Sequence, residues 1–303
     1  MEAYRHPSYI RVRDELVSTL RTRFAQTRRV NSIIFLCGGA SSVVRPFLRS
    51  YFGAHHPDWL VFYADDVWDH VEAIGTFNAL DMERELAALA DVVVIVVESP
   101  GTFAELGAFA MQDDLRDKLV VILDEKYETD RSFINTGPVR WVDESEGECI
   151  YCPFDSAGLS VSRLVRALNQ RLPQSRFDSL VPAELGRSSR HLLLLLGDLV
   201  AVMGPVSPRE IRLALQGVTG GELAWRPDTF IGLALSLGII KRMSAHGSSK
   251  SWLFYRPLDS PSRQGLLLRD SFDIRKARAK FIECYQRLPG EWDARFPLPT
   301  ATT

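Results

Sequence analysis

The apolar positions of the chain change their period several times, and each change marks an element. Tyr9, Val12, Leu16, Leu20 and Phe24 recur at near-helical spacing and predict a helix over residues 8–27. Ser32 to Cys37 reads SIIFLC, an apolar, β-branched run that ends at Gly38-Gly39: a buried strand followed by a glycine turn. Trp59 to Tyr63 is a second strand candidate, followed directly by Asp65-Asp66. Asn78 to Ala90 has the spacing of an amphipathic helix. Asp91 to Val97 reads DVVVIVV, apolar on both faces as in the middle of a helix-covered parallel sheet. After the turn Glu98-Ser99-Pro100-Gly101, a helix is predicted from Phe103 to Met111 with Thr102 as its N-cap. Lys118 to Leu123 and Cys149 to Tyr151 are further strands, and Ser160 to Arg171 closes the region as a helix.

Strands alternating with helices predict an α/β domain with a mainly parallel sheet. Ligands of such sheets sit at the carboxyl ends of the strands. Three polar or glycine-rich turns fall at such ends: Cys37-Gly38-Gly39, Tyr63 to Asp66, and Glu98 to Glu105.

Leu172 to Ser189 has little periodicity and contains Pro, Ser and Gly, so a linker is expected there, between a first domain over 1–180 and a second over 190–303. Leu192 to Met203 predicts an apolar helix. Ser207-Pro208-Arg209-Glu210 has the form of a capping box with Pro at the first helical position. Pro227 to Leu237 predicts a third helix, and Ile239 to Arg242 and Trp252 to Tyr255 read as two strands around HGSSK. Three helices followed by a hairpin is the order of a winged helix-turn-helix.

The 303 residues are 46% hydrophobic and 24% charged, which is ordinary for a globular protein and excludes a fibre or a disulfide miniprotein. The longest apolar runs fall far short of the roughly 20 residues needed to span a bilayer. The opening MEAYRHPSYIRVRDEL has no signal-peptide core. With four scattered cysteines, the expectation is a reduced, cytoplasmic protein without membrane association. The net charge of −2 hides an asymmetry: residues 186–303 carry 17 Lys and Arg against 10 Asp and Glu, and the rest is acidic. Lys241 to Leu258 contains Lys241, Arg242, Lys250 and Arg256 and no acidic residue. A basic second domain suits nucleic acid, or simply attraction between the two halves.

The candidate chemistry centres on ESPGTFAELGAFA, Glu98 to Ala110. A carboxylate at Glu105, in the first turn of its predicted helix, would stabilise or attack the anomeric carbon of a ribose as its base departs. The helix dipole would keep it ionised, and Gly101-Thr102 would let the backbone approach a sugar or phosphate. Cys149-x-x-Cys152 lacks the second pair or histidines of a zinc site and the strand–helix setting of a redox pair. No metal site is expected. Neither a Walker A motif nor G-x-G-x-x-G is present, so neither ATP nor a Rossmann-type NAD cofactor is implied.

A strand, a PGT-type turn and ELGxA together resemble the nucleoside 2-deoxyribosyltransferase-like fold, a flavodoxin- or Rossmann-like α/β domain whose Glu is the nucleophile on the sugar. With IFLCGG, FYADD (62–66), ESPGTFAELGAF and RSFINTGPVR (131–140) in order, residues 30–142 resemble the retron effectors of this fold. A C-terminal winged helix from about 190 to 303 continues the likeness more weakly. The resemblance implies a toxin of antiphage defence that cleaves the N-glycosidic bond of NAD. It also implies restraint by a retron reverse transcriptase and its msDNA, an RNA–DNA hybrid, within an oligomeric assembly. Glu105 matches the catalytic Glu, and Cys37, Gly38 and Gly39 match the first loop. Asp66 matches an acidic residue that holds a ribose hydroxyl or the nicotinamide side, or it caps a helix beginning at Val67. Glu98 and Ser99 fit the turn facing the sugar; Glu98 is one methylene longer than the Asp common in transferases, which favours hydrolysis. Asn135 binds a substrate hydroxyl or carboxylate, serves a neighbouring subunit, or shapes the turn before Gly137-Pro138. Of Arg131 and Arg140, one is expected to read a phosphate and the other to form a surface ion pair. Nucleosides or nucleotides as substrates, base transfer, and a nucleotide-sensing DNA-binding regulator are the alternatives.

Overall fold

The computed structural model describes residues 3–23, 26–28, 32–71, 78–154, 161–172, 177–179, 185, 188–221, 223, 227–244, 252–255 and 272–296. The chain forms two compact units, one of residues 31–174 and one of residues 1–30 with 175–303. In chain order, α1 (Pro7–Arg23) and β1 (Gln26–Arg28) precede β2 (Ser32–Cys37), α2 (Val44–His55), β3 (Trp59–Phe62), α3 (Ala64–Val71) and α4 (Ala79–Leu89). Then come β4 (Val92–Val96), α5 (Pro100–Ala110), α6 (Asp113–Arg116), β5 (Leu119–Asp124), α7 (Arg140–Asp143), β6 (Glu148–Cys152) and α8 (Val161–Arg171).

The first of these units carries a five-stranded, all-parallel sheet in the order β3-β2-β4-β5-β6. β4 and β5 are buried almost end to end, which their unbroken Val/Ile/Leu runs require. Successive strand residues face opposite sides. Ile34 and Leu36 of β2 therefore pack with Val44, Leu48 and Phe52 of α2 and Leu164 and Leu168 of α8. Ile33, Phe35 and Cys37 face the other side, where α4 and α5 bury Met82, Leu86, Leu106 and Phe109. By the same alternation Cys149 and Cys152, three residues apart on β6, project to opposite faces and cannot share a ligand; both are buried thiols.

The second unit begins with β7 (Phe177–Ser179), paired antiparallel with β1, and continues as α9 (Ser189–Met203), α10 (Pro208–Thr219), α11 (Pro227–Ser236), a hairpin of β8 (Lys241–Ser244) and β9 (Trp252–Tyr255), α12 (Ile274–Arg287) and α13 (Glu291–Arg295). Tyr9, Leu16 and Leu20 of the predicted stripe are buried, but α1 ends at Arg23 and residues 26–28, expected as its last turn, form β1; Phe24 lies outside the described residues. The partners of α1 are not those of the expected 1–180 domain. Tyr9 is fully buried against Tyr285 and Phe281 of α12, with ring centroids 6.1 and 5.8 Å away. Gly217 lets α10 approach α1 so closely that a Cβ there would lie 2.9 Å from Val17 Cγ2. The first thirty residues thus belong with the C-terminal unit. Among the described residues no helix is long and apolar enough to cross a membrane.

Candidate active site

The chain runs from β2 outward to β3 and then crosses back to β4 on the other side of β2, so the switch point of the sheet lies between the carboxyl ends of β2 and β4. Two loops meet there. Gly39 N donates to Glu98 Oε1 at 3.0 Å, and Gly38 O accepts from Arg45 Nη1 at 3.1 Å. The fit explains both glycines: a Cβ on Gly38 would lie 3.0 Å from Arg45 Cδ, and one on Gly39 would lie 3.2 Å from Ser99 Cβ.

The helix after β4 starts three residues earlier than its sequence pattern suggests. Ser99, not Thr102, is the N-cap, with Pro100 at the first helical position and Thr102 completing a capping box. The Thr102 hydroxyl accepts from the Glu98 and Ser99 amides at 3.1 and 3.0 Å and is buried, so it builds the turn and does not face a ligand. Gly101 is exposed and has open space around it.

The early start moves Glu105 out of the first turn. Glu105 instead shares with Thr102, Leu106 and Phe109 the stripe of α5 that faces the sheet. There it meets Cys37 from the end of β2 and Glu83 from α4, the ligand atoms of all three lying within 4.8 Å of one another. Burial raises the Glu105 carboxyl, the Cys37 thiol opposes that rise, Asp65 adds to it and Arg45 opposes it. The expectation that the helix terminus lowers this group is therefore reversed: desolvation outweighs a dipole that falls off within the first turn. Glu83 is pushed up to about 8, by burial first and then by the charges of Glu105 and Asp65. Glu105 Oε2 and Glu83 Oε2 are buried without a hydrogen-bond partner. One thiol and two carboxylates would, once deprotonated, also suit a borderline divalent cation; without one, a Glu83 pushed up to about 8 makes them a proton-sharing cluster.

Glu83, Arg45 and Arg49 went unread in the sequence, and Asp65 was read only as part of the polar turn after the second strand. Arg45 and Arg49 each lie 4.4 Å from the centroid of the Tyr63 ring, and they pair with Asp65 at 2.8 Å and Asp66 at 2.5 Å. Asp66 is not the cap of a helix beginning at Val67: α3 begins at Ala64, with Asp65 and Asp66 both in its first turn. Glu83 carried a signal, since Met82, Glu83, Leu86 and Ala87 form one helical stripe in which a carboxylate stands among apolar residues.

Residues 41–255 match the family of the STM3845 retron effector protein. The chain belongs to this retron effector family. Two relatives from Escherichia coli carry the name "putative ribosyltransferase/DNA-binding protein", one of retron Ec86 and one of retron Ec73. The effector is 41% identical to the Ec86 protein over 120 residues, 39% of either chain, and so spans well under half of that relative. It is 26% identical to the Ec73 protein over 241 residues, 70% of this chain and 75% of the relative.

Not every residue singled out in the sequence converges on Glu105. Asn135 Nδ2 donates to the carbonyls of Tyr127 and Asp130 at 2.7 and 2.9 Å, and Oδ1 accepts from Tyr151 Oη at 3.2 Å. With its amide fully engaged, Asn135 ties the segment after β5 to β6. Arg140 is exposed and paired with Glu144 at 2.7 Å, and Arg131 is exposed; neither is among the groups that meet Glu105. Lys241 and Arg242 are exposed on β8; Lys250 and Arg256 lie outside the described residues.

Proposed function

We propose that this effector hydrolyses the N-glycosidic bond of NAD and is held inactive by a retron reverse transcriptase and its msDNA. The observation that carries the reading is Glu105, a half-buried carboxylate brought by α5 to the carboxyl edge of a parallel sheet, beside its topological switch point. Two relatives named as ribosyltransferases support chemistry at a ribose carbon. The sheet and its loops support a nucleoside deoxyribosyltransferase-like domain. Helices α9 to α11 followed by the β8–β9 hairpin support a winged helix, for which the relatives' second name, DNA-binding protein, also speaks.

The reaction passes through an oxocarbenium-like ribose. As the C1′–N bond breaks, its electron pair leaves with nicotinamide and neutralises the pyridinium charge. The ionised Glu105 faces C1′ and stabilises the cation or bonds to it. Water then adds its oxygen to C1′ and gives up a proton, leaving ADP-ribose, nicotinamide and H⁺. Glu98 holds the β2 loop against the β4 loop through the Gly39 amide, which fixes the floor of the site.

A second reading, cleavage of nucleosides or nucleotides, is favoured by one observation. Glu83 keeps a proton at neutral pH, and a neutral departing base needs one, whereas nicotinamide does not.

The test is Glu105→Gln with NAD and purine nucleosides offered in parallel and products resolved by chromatography. Loss of nicotinamide release and of toxicity, with an unchanged melting curve, is the expected outcome. Retained nicotinamide release would overturn the assignment, and free base without nicotinamide would replace NAD by a nucleoside.

A further inference from the structure

The cluster around Glu105 contains a thiol that neither reading of the chemistry uses. Cys37 ends β2 on the face turned toward α4 and α5, and it is only 4% exposed. That leaves its thiol no access to bulk solvent, so its expected role as a ligand of substrate does not fit its position. Its sulfur lies within 4.8 Å of both carboxylates, and burial first, then the Glu105 carboxylate and Glu83 once it has lost its proton, hold the thiol well above its ordinary range. A thiol that stays protonated is a donor and not a nucleophile.

We propose that Cys37 is a positioning residue whose S–H is directed at the Glu105 carboxylate and holds it oriented and ionised for attack on the sugar. The inference rests on Glu105 being the reacting carboxylate. The groups facing Glu105 from neighbouring elements divide by sign. Asp65 on α3 disfavours its charge, while Arg45 on α2 favours it but is already paired with Asp65 at 2.8 Å and with the Gly38 carbonyl; Glu83 on α4, pushed up to about 8, is a neutral neighbour at pH 7. Cys37 is the neutral donor that is in place at the end of a buried strand and keeps its proton beyond the range in which Glu83 loses its own, and a hydrogen bond to the charged form lowers a carboxyl pKa. The end of β2 supplies a position rigid enough for the task, since Cys37 is in register with Ile95 of the buried β4.

The experiment compares Cys37→Val, which removes the donor and adds one methyl group's volume, with Cys37→Ser, which keeps a donor. The Glu105 carboxyl carbon is followed by ¹³C NMR and assigned by its disappearance in Glu105→Gln. Nicotinamide release is measured across pH in the same samples. In Cys37→Val the Glu105 titration and the acid limb of activity are expected to move up together by about one pH unit, a roughly tenfold loss on the acid side. Cys37→Ser should titrate within a few tenths of a unit of wild type. An unmoved Glu105 titration in Cys37→Val would overturn the proposal whatever the activity does. A moved titration in a protein that releases no nicotinamide would uphold the hydrogen bond and sink the NAD reading instead. Should Cys37→Val fail to fold, an upward shift in Cys37→Ser with its fold intact would count against the thiol donor.

Discussion

Two carboxylates and a thiol in one half-buried cluster cannot all be charged, and the environment decides which proton stays. Glu83 keeps its own up to about pH 8, so the native state binds a proton there that the unfolded chain has released above about 4.5. The sign follows: between these values the folded protein holds more protons than the unfolded one, and stability falls as pH rises through the window. Glu83→Gln removes the titration. Its melting temperature should vary less than that of wild type between pH 5 and 8 and exceed it at pH 8. Fluorimetric melting at several pH values checks this, and two parallel curves would show that Glu83 is not held protonated. Glu105 was legible because a motif marks it. Glu83 was not, because its importance comes from facing Glu105 across an inter-helix space that no spacing in the sequence encodes. The dipole argument for Glu105 failed for a related reason: burial is set by the packed sheet, not by the helix alone.

Elements were largely legible where periodicity is strong. β2 matches its predicted span, β4 lies one residue inside its prediction at either end, and Asn78 caps α4 with its side chain accepting from Leu80 N. α5 was misplaced at its start because Ser99-Pro100 and Thr102 both carry capping signals, and only the folded turn shows Ser99 at the cap. The capping box at Ser207 and Glu210 was read correctly, yet half of Glu210's role was hidden. One carboxylate oxygen accepts from the Ser207 amide at 2.7 Å; the other pairs with Arg295, 85 residues away, at 2.8 Å. Arg295 is 1% exposed, also bonds Glu291 at 2.9 Å and the Pro205 carbonyl, and lies over the Tyr285 ring. This guanidinium therefore locks α10, α12 and α13 together. Arg295→Leu leaves Glu210 and Glu291 buried without their cation, and a loss of about 3–5 kcal/mol is expected. Urea denaturation of the full chain measures it; a loss under about 1 kcal/mol would show that water or neighbouring groups replace the cation.

For the molecule as a whole, the observed division sharpens a charge contrast visible in the sequence. Residues 31–174 carry 11 Lys and Arg against 23 Asp and Glu, while residues 1–30 and 175–303 carry 25 against 15. Reassigning α1 to the C-terminal unit makes that unit more basic than sequence order alone suggested. In that unit α11, the helix before the hairpin, buries Thr229, Phe230, Ile231, Leu233 and Ala234, and its Asp228 pairs with Arg212. Reading base edges requires Arg, Lys, Asn or Gln on the outer face of a helix, which α11 does not supply. Phosphate contact by exposed cations is the mode this surface fits, with Lys241 and Arg242 on β8 as its described members. Replacing Lys241, Arg242, Lys250 and Arg256 together by Ala should weaken capture of the retron ribonucleoprotein. It should also flatten the dependence of log affinity on log salt by about 3 for four lost phosphate contacts. NAD cleavage should not change, because the cluster around Glu105 is built by residues of the other unit, 31–174. In cells carrying the whole retron the variant should be more toxic, since restraint is lost while the enzyme is not. Pull-down at two salt concentrations, with nicotinamide release measured on the same preparation, decides it. Undiminished capture with an unchanged salt slope would make the basic hairpin an ordinary solvated surface and move the docking contact elsewhere in the C-terminal unit.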